Sequence, residues 1–139
     1  MAHELALQIN AHFGAISGAN DSASKWLAEQ NLPSSAQYLA NLAIEELVTN
    51  CIKYGYQDGR DHVIDIRLQI AEDQLVLTVI DDGRPFNPLD APEPNTHLPI
   101  EERPVGGLGI HLLRQMSDKM EYFRSNGRNH TTVRKSINP

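Results

Sequence analysis

LANLAIEELVTNCIKY, residues 39–54, is the most informative segment of the sequence. Set on a wheel at about 100° per residue, it gives one apolar helix face of Leu39, Leu42, Ala43, Leu47, Cys51 and Tyr54. Glu46 and Asn50 fall in the middle of that face, and Glu45 falls off it. Burying a carboxylate costs several kcal/mol unless it is paired or used chemically, so its presence there needs a reason. Pro33-Ser34-Ser35 starts this helix, which is expected to run to about Lys53 with Gly55 as its terminator.

Side chains at i and i+4 reach into the same volume. One reading gives Asn50 a neutral oxygen for a magnesium ion and makes Glu46 a proton acceptor or an orienter of a nucleophile. The other is a structural polar pair hydrogen-bonded to nearby backbone. Lys53, one turn past Asn50, is either a positive charge directed at phosphates or a solvated helix end.

Two further motifs follow at fixed intervals. LVLTVIDDG, residues 75–83, ends an apolar strand in two carboxylates and a glycine. Asp81 suits an exocyclic amine such as that of adenine, Gly83 lets a flat ring approach the backbone, and Asp82 points the other way into solvent. A plain Asp-Asp-Gly turn is the alternative. GGLG, residues 106–109, then opens a helix, where free N–H groups and the helix dipole make an anion site. No Gly-Lys-Ser/Thr follows it, and a proline-rich stretch precedes it instead of a strand, so it is neither a P-loop nor a dinucleotide fingerprint. His111 in the first turn reads as packing or surface. The histidines have no ligand-like spacing with Cys51, which argues against zinc. In this order the three motifs describe a nucleotide site.

The remaining sequence frames that site. A helix is expected over 20–31, capped by Asn20, Asp21 or Ser22. Leu5, Leu7 and Ile9 alternate as a half-buried strand, and strands at 63–70 and 75–81 are joined through Glu72-Asp73-Gln74. Six of the eight prolines fall in 84–105, which reads as a long loop of the kind that forms lids. A helix over 107–118 and a closing hairpin, 120–125 with 130–137 turning at Asn126-Gly127, complete the chain. The order β-α-α-β-β-loop-α-β-β implies an α+β fold: a mostly antiparallel mixed sheet covered on one face by helices.

Size and composition set the bounds. At 139 residues, 40% apolar and 22% charged, this reads as one domain with a real core. A net charge of −6 without a basic stripe argues against a nucleic-acid binder. One cysteine allows no internal disulfide, the start MAHELALQIN shows no secretion signal, and no window approaches the roughly 20 apolar residues of a membrane span. A cytoplasmic location with no membrane contact is expected.

EELVTNCIKYGY, IDDGRPFNP and GGLGIHLLRQMSD resemble the N, G1 and G2 boxes of the Bergerat-fold ATPases. These include histidine kinases, type II topoisomerases, the ninety-kilodalton chaperones and mismatch-repair ATPases. Within that superfamily, the short length and the E-x-x-x-N spacing are similar to bacterial anti-sigma-factor serine kinases of partner-switching systems. The resemblance covers nearly the whole chain.

The resemblance implies a two-layer α/β sandwich and a site for ATP and magnesium. Asn50 would coordinate the metal and Glu46 would be the general base or water-orienting acid. Asp81 would bind the adenine amine beside Gly83, and Lys53 would face the nucleotide. Gly107, Leu108 and Gly109 would flank the triphosphate, and 84–105 would be the ATP lid. Thr131 or Thr132 matches the final-strand Gly-Thr segment, with Thr132 taken as the contact; His130 stands at the glycine position and Pro85 replaces a second glycine. The implied partners are an anti-sigma-factor antagonist of the STAS type and a sigma factor, with a homodimer expected. The competing readings are a non-catalytic ATP-binding partner switch, a detached histidine-kinase-type catalytic domain and an ATP hydrolase.

Overall fold

The computed structural model describes residues 3–56, 58–90 and 107–137. Its strands are β1 (Glu4–Asn10), β2 (Val63–Ala71), β3 (Gln74–Asp81), β4 (Lys119–Ser125) and β5 (Arg128–Ser136). Its α-helices are α1 (Ala15–Glu29), α2 (Ser34–Asn50) and α3 (Gly107–Met116). The strands form one sheet in the order β1-β2-β3-β5-β4, and each of the four pairings is antiparallel.

Two-residue turns close both hairpins. Glu72 and Asp73 have φ of 52° and 62°, and Asn126 and Gly127 have φ of 54° and 75°. Positive φ at both central residues is the geometry whose twist matches that of the flanking strands.

Alternation along the strands sets the two faces. Ile64, Ile66 and Leu68 of β2, Leu75, Leu77 and Val79 of β3, and Val133 of β5 point to the inner face, where all are buried. They pack against Ile16, Ala23 and Leu27 of α1, Leu39, Ala43, Leu47 and Val48 of α2, and Ile110 and Leu113 of α3. Among the described residues the outer face carries no helix, and it bears Asp65, Arg67, Thr78, Thr132 and the exposed Phe123. This is the α+β two-layer arrangement expected from the order of elements.

The largest boundary differences from the sequence reading are at α1 and α2, and β5 also starts two residues earlier than expected, at Arg128. α1 starts at Ala15, five residues before the expected cap, and its N-cap Gly14 makes no side-chain capping bond. Asn20, Asp21 and Ser22 are therefore helix interior. The buried stripe Ile16, Ala19, Ala23, Trp26 and Leu27 extends the helix upstream of them, so tertiary burial outweighs Gly18 and the missing cap. α2 stops as an α-helix at Asn50 and continues as a π-helical turn over Cys51–Gly55. No helix among the described residues is long and apolar enough to cross a membrane.

Candidate nucleotide-binding site

The inner face changes character at one end of the sheet. β3 places Leu75, Leu77 and Val79 inward, and the same period carries Asp81 inward after them. In the register of β3 and β5, Asp81 lies opposite Asn129 and Val79 opposite Thr131. Asp81, Asn129, Thr131 and Asn50 are buried polar residues, each 6% exposed or less. All four line one pocket with Leu47, Cys51, Gly55, Val79, Phe86 and Pro88. Phe86 stacks on Tyr54 with ring centroids 5.3 Å apart, and a 3-10 turn at Pro88–Asp90 follows.

Asp81 is held from three sides. Its Oδ1 accepts from the Gly83 N–H at 2.9 Å and from Asn129 Nδ2 at 3.0 Å, and its Oδ2 accepts from Cys51 Sγ at 3.2 Å. Burial, then the neighbouring Asp81 charge, pushes the Cys51 thiol well above its ordinary pKa, so it serves as a donor and not as a thiolate. Asp82 points outward as expected. It accepts from His62 Nδ1 at 3.0 Å, while His62 Nε2 lies 2.8 Å from Asp58. The hydrogen bond to Asp58 first, and that to Asp82 next, raise the His62 pKa.

The π-helical turn brings the end of α2 against the end of β3. Arg84 N–H donates to the Gly55 carbonyl at 2.9 Å, and Arg84 Nε donates to the Tyr54 carbonyl. A β-carbon at Gly83 would lie 2.8 Å from the Gly55 carbonyl oxygen and 2.9 Å from Asp81 Oδ1. Gly83 therefore admits the Gly55 backbone. The close approach expected for a flat ring is here made by the protein itself.

Glu46 is half-buried one turn before Asn50, and its carboxylate lies against Gly109 in the first turn of α3. A β-carbon at Gly109 would overlap that carboxylate. Burial, then the charge of Glu45, raises the Glu46 pKa, and Lys53 opposes the shift. Lys53 is exposed in the π-helical turn, with its charge felt at Glu46 and its side chain outside the lining of the Asp81 pocket.

Thr132 is placed differently from its expected role. It faces the outer side of the sheet, where its hydroxyl lies 3.2 Å from that of Thr78. Thr131, one residue earlier, lines the pocket, because a strand reverses its side chains at each residue. Gly107 opens α3, and Leu108 is 57% exposed. His111 is half-buried on α3. The lid expected at 84–105 is described only to Asp90; residues 91–106 lie outside the described residues.

Sequence reasoning missed Asn129 and the donor role of Cys51. The signal for Asn129 was its inward position two and four residues before Thr131 and Val133. An inward asparagine directly across from Asp81 becomes visible once the β3–β5 register is known.

The model for the histidine kinase-like ATPase domain matches residues 9–135. The serine/threonine-protein kinase BtrW of Bordetella bronchiseptica is 24% identical over 97 residues, covering 70% of this chain and 68% of that protein. The serine-protein kinase RsbW of Bacillus pumilus is 28% identical over 92 residues, covering 62% of this chain and 57% of that protein. RsbW of Staphylococcus aureus is 28% identical over 98 residues, covering 63% and 58%. The match thus spans little more than half the length of the two RsbW relatives. The crystal structure of the RsbU and RsbW domains of Rv1364c from Mycobacterium tuberculosis superposes with a TM-score of 0.68 at 18% identity. That superposition covers 99% of this chain and 34% of the other, and it shows a shared fold. With residues 9–135 matched, the chain belongs to the histidine kinase-like ATPase domain family.

Proposed function

We propose that this chain is a single-domain, ATP-dependent protein serine/threonine kinase that phosphorylates an anti-sigma-factor antagonist. The observation that carries the reading is Asp81, buried at the end of β3 in one pocket with Asn50, while Glu46 stands one turn before Asn50. The names of the BtrW and RsbW relatives support a serine as the acceptor.

In this reading, Asp81 accepts a hydrogen bond from the adenine amine, and the triphosphate runs toward the start of α3. The N–H groups and dipole of that helix start favour anionic oxygens. The Asn50 carboxamide oxygen suits a magnesium ion, which binds hard oxygen donors and takes the rest from phosphates and water. The absence of a β-carbon at Gly109 leaves the Glu46 carboxylate room beside the helix start. Magnesium, when bound, supplies charge neutralisation to the phosphates. Lys53, exposed and one turn beyond Asn50, adds positive charge at the rim.

Glu46 then takes the proton of the seryl hydroxyl. The seryl oxygen forms a bond to the γ-phosphorus as the bond to the β–γ bridging oxygen breaks, and ADP leaves with that electron pair. The raised pKa of Glu46 suits a proton acceptor, since it makes the carboxylate a stronger base than an exposed glutamate. Phosphate on the antagonist adds charge at its interface and releases it, which leaves the kinase free to hold a sigma factor. A homodimer in the cytoplasm is part of the same reading.

The test is transfer of labelled γ-phosphate to a serine-bearing antagonist protein. The expected result is acid-stable label on serine, dependent on magnesium and lost in Glu46→Gln. Acid-labile label on a histidine would replace this reading with a histidine-kinase-type domain.

A further inference from the structure

Asn129 is almost fully buried, at 2% exposed, and every polar atom of its side chain is engaged. Its Oδ1 accepts from the Tyr122 hydroxyl and from Arg124 Nη1 at 3.0 Å. Its Nδ2 donates to Asp81 Oδ1 at 3.0 Å and to the Arg84 carbonyl at 2.9 Å, with the Gly83 carbonyl at 3.5 Å. Arg124 Nη1 also donates to the Gly83 carbonyl at 2.9 Å. The amide has only one workable orientation. Reversed, it would set an oxygen against a carboxylate and two carbonyls, and an NH2 against a guanidinium.

This arrangement uses the two oxygens of Asp81 unequally. Oδ1 is saturated by the Gly83 N–H and by Asn129, while Oδ2 holds, among the described residues, only the weak donor Cys51 Sγ. Oδ2 is thus the oxygen with acceptor capacity to spare in the pocket. Without Asn129 the carboxylate would lose a charge-assisted bond and one constraint on its plane. The same amide ties the root of the loop after β3, at Arg84, to the closing β4–β5 hairpin.

We propose that Asn129 is a positioning residue that fixes the Asp81 carboxylate so that Oδ2 meets a nucleobase amine, and so sets selectivity for an amino-bearing purine. The inference rests on the nucleotide-site reading. It goes beyond that reading by assigning base selectivity to a residue of the final hairpin that need not touch the phosphates.

The test compares magnesium complexes of ADP and IDP, which differ in the exocyclic amine, by calorimetric titration. Wild type is expected to prefer ADP by roughly tenfold or more, because a site built to pair an amine rejects the ligand without it. In Asn129→Leu the preference should collapse toward unity, mainly through weaker ADP binding. A purely structural role would weaken both ligands equally, and an ADP-to-IDP ratio left at the wild-type value overturns the proposal. Should Asn129→Leu fail to fold, Tyr122→Phe removes one of the hydroxyl and guanidinium donors that fix the amide. Its ratio is expected to fall by about threefold, and an unchanged ratio is equally fatal. If wild type binds ADP but does not distinguish it from IDP, both the Asp81 assignment and this inference fall. If wild type and Asn129→Leu show the same clear preference, only the inference falls.

Discussion

Gly109, in the first turn of α3, lies so close to the Glu46 carboxylate of α2 that a β-carbon at 109 would occupy the carboxylate's place. The helix start and the proposed base are thereby one constructed unit. Gly109→Ala should force Glu46 to swing aside, which a flexible side chain does at small cost. Alanine is favoured over glycine within a helix by about 1 kcal/mol, so thermal stability should hold or rise. Phosphotransfer should fall by at least about tenfold, since a displaced base loses most of its contribution. Melting curves and initial rates on the same preparation check both halves.

Gly83 faces backbone instead of a movable side chain. A β-carbon there would sit 2.8 Å from the Gly55 carbonyl oxygen and 2.9 Å from the Gly55 Cα, neither of which can rotate away. Gly83→Ala is expected to destabilise the fold by roughly 1–3 kcal/mol, the usual range for overpacking, and to weaken nucleotide binding as the π-helical turn shifts. Denaturant unfolding with and without ADP reads both effects.

The acid limb of the activity should lie above the ordinary glutamate range. Burial raises the Glu46 pKa, and the proposed general base must be ionised, so the rate should fall as pH drops through the raised value. Lys53 lowers that pKa, so Lys53→Ala should move the acid limb to higher pH. A pH–rate profile that stays in place in Lys53→Ala contradicts this electrostatic assignment. The sign for stability is opposite. The folded state binds the Glu46 proton more tightly than the unfolded chain, so this group's contribution is lost as pH rises between the two values.

His62 bridges Asp58 and Asp82 and gains affinity for its proton on folding. Its contribution is fully present below the unfolded value of about 6.5 and is lost as pH rises through the higher folded value. The melting temperature of wild type should therefore drop more between pH 6 and pH 8.5 than that of His62→Gln. Parallel curves would show that the bridge does not contribute.

Most of the fold was legible because period-2 strands and two-residue turns leave clear marks, as in Leu75, Leu77, Val79 and the Asn126-Gly127 turn. The polar pair on α2 was legible for a related reason: Glu46 and Asn50 interrupt an apolar face. The start of α1 was hidden, because its upstream turn is held by burial of Ile16 and Ala19 and has no capping side chain. The π-helical turn was hidden too, since CIKYG carries no local sign of a change in helix type. Choosing Thr131 over Thr132 needed the β5 register to one residue, and that is fixed only by pairing with β3. Asn129 depended on the same register. Its importance comes from a partner 48 residues away, which no local pattern reveals.

We propose that a nucleotide base is recognised at Asp81. Calorimetric titration of Mg-ATP into wild type and Asp81→Asn tests it most directly. The asparagine oxygen can still accept from the Gly83 N–H and Asn129, so the two proteins should melt within a few degrees of each other. The new amide nitrogen would face the base amine donor to donor, and affinity should fall by roughly a hundredfold or more. Equal affinity in two equally folded proteins would contradict the account.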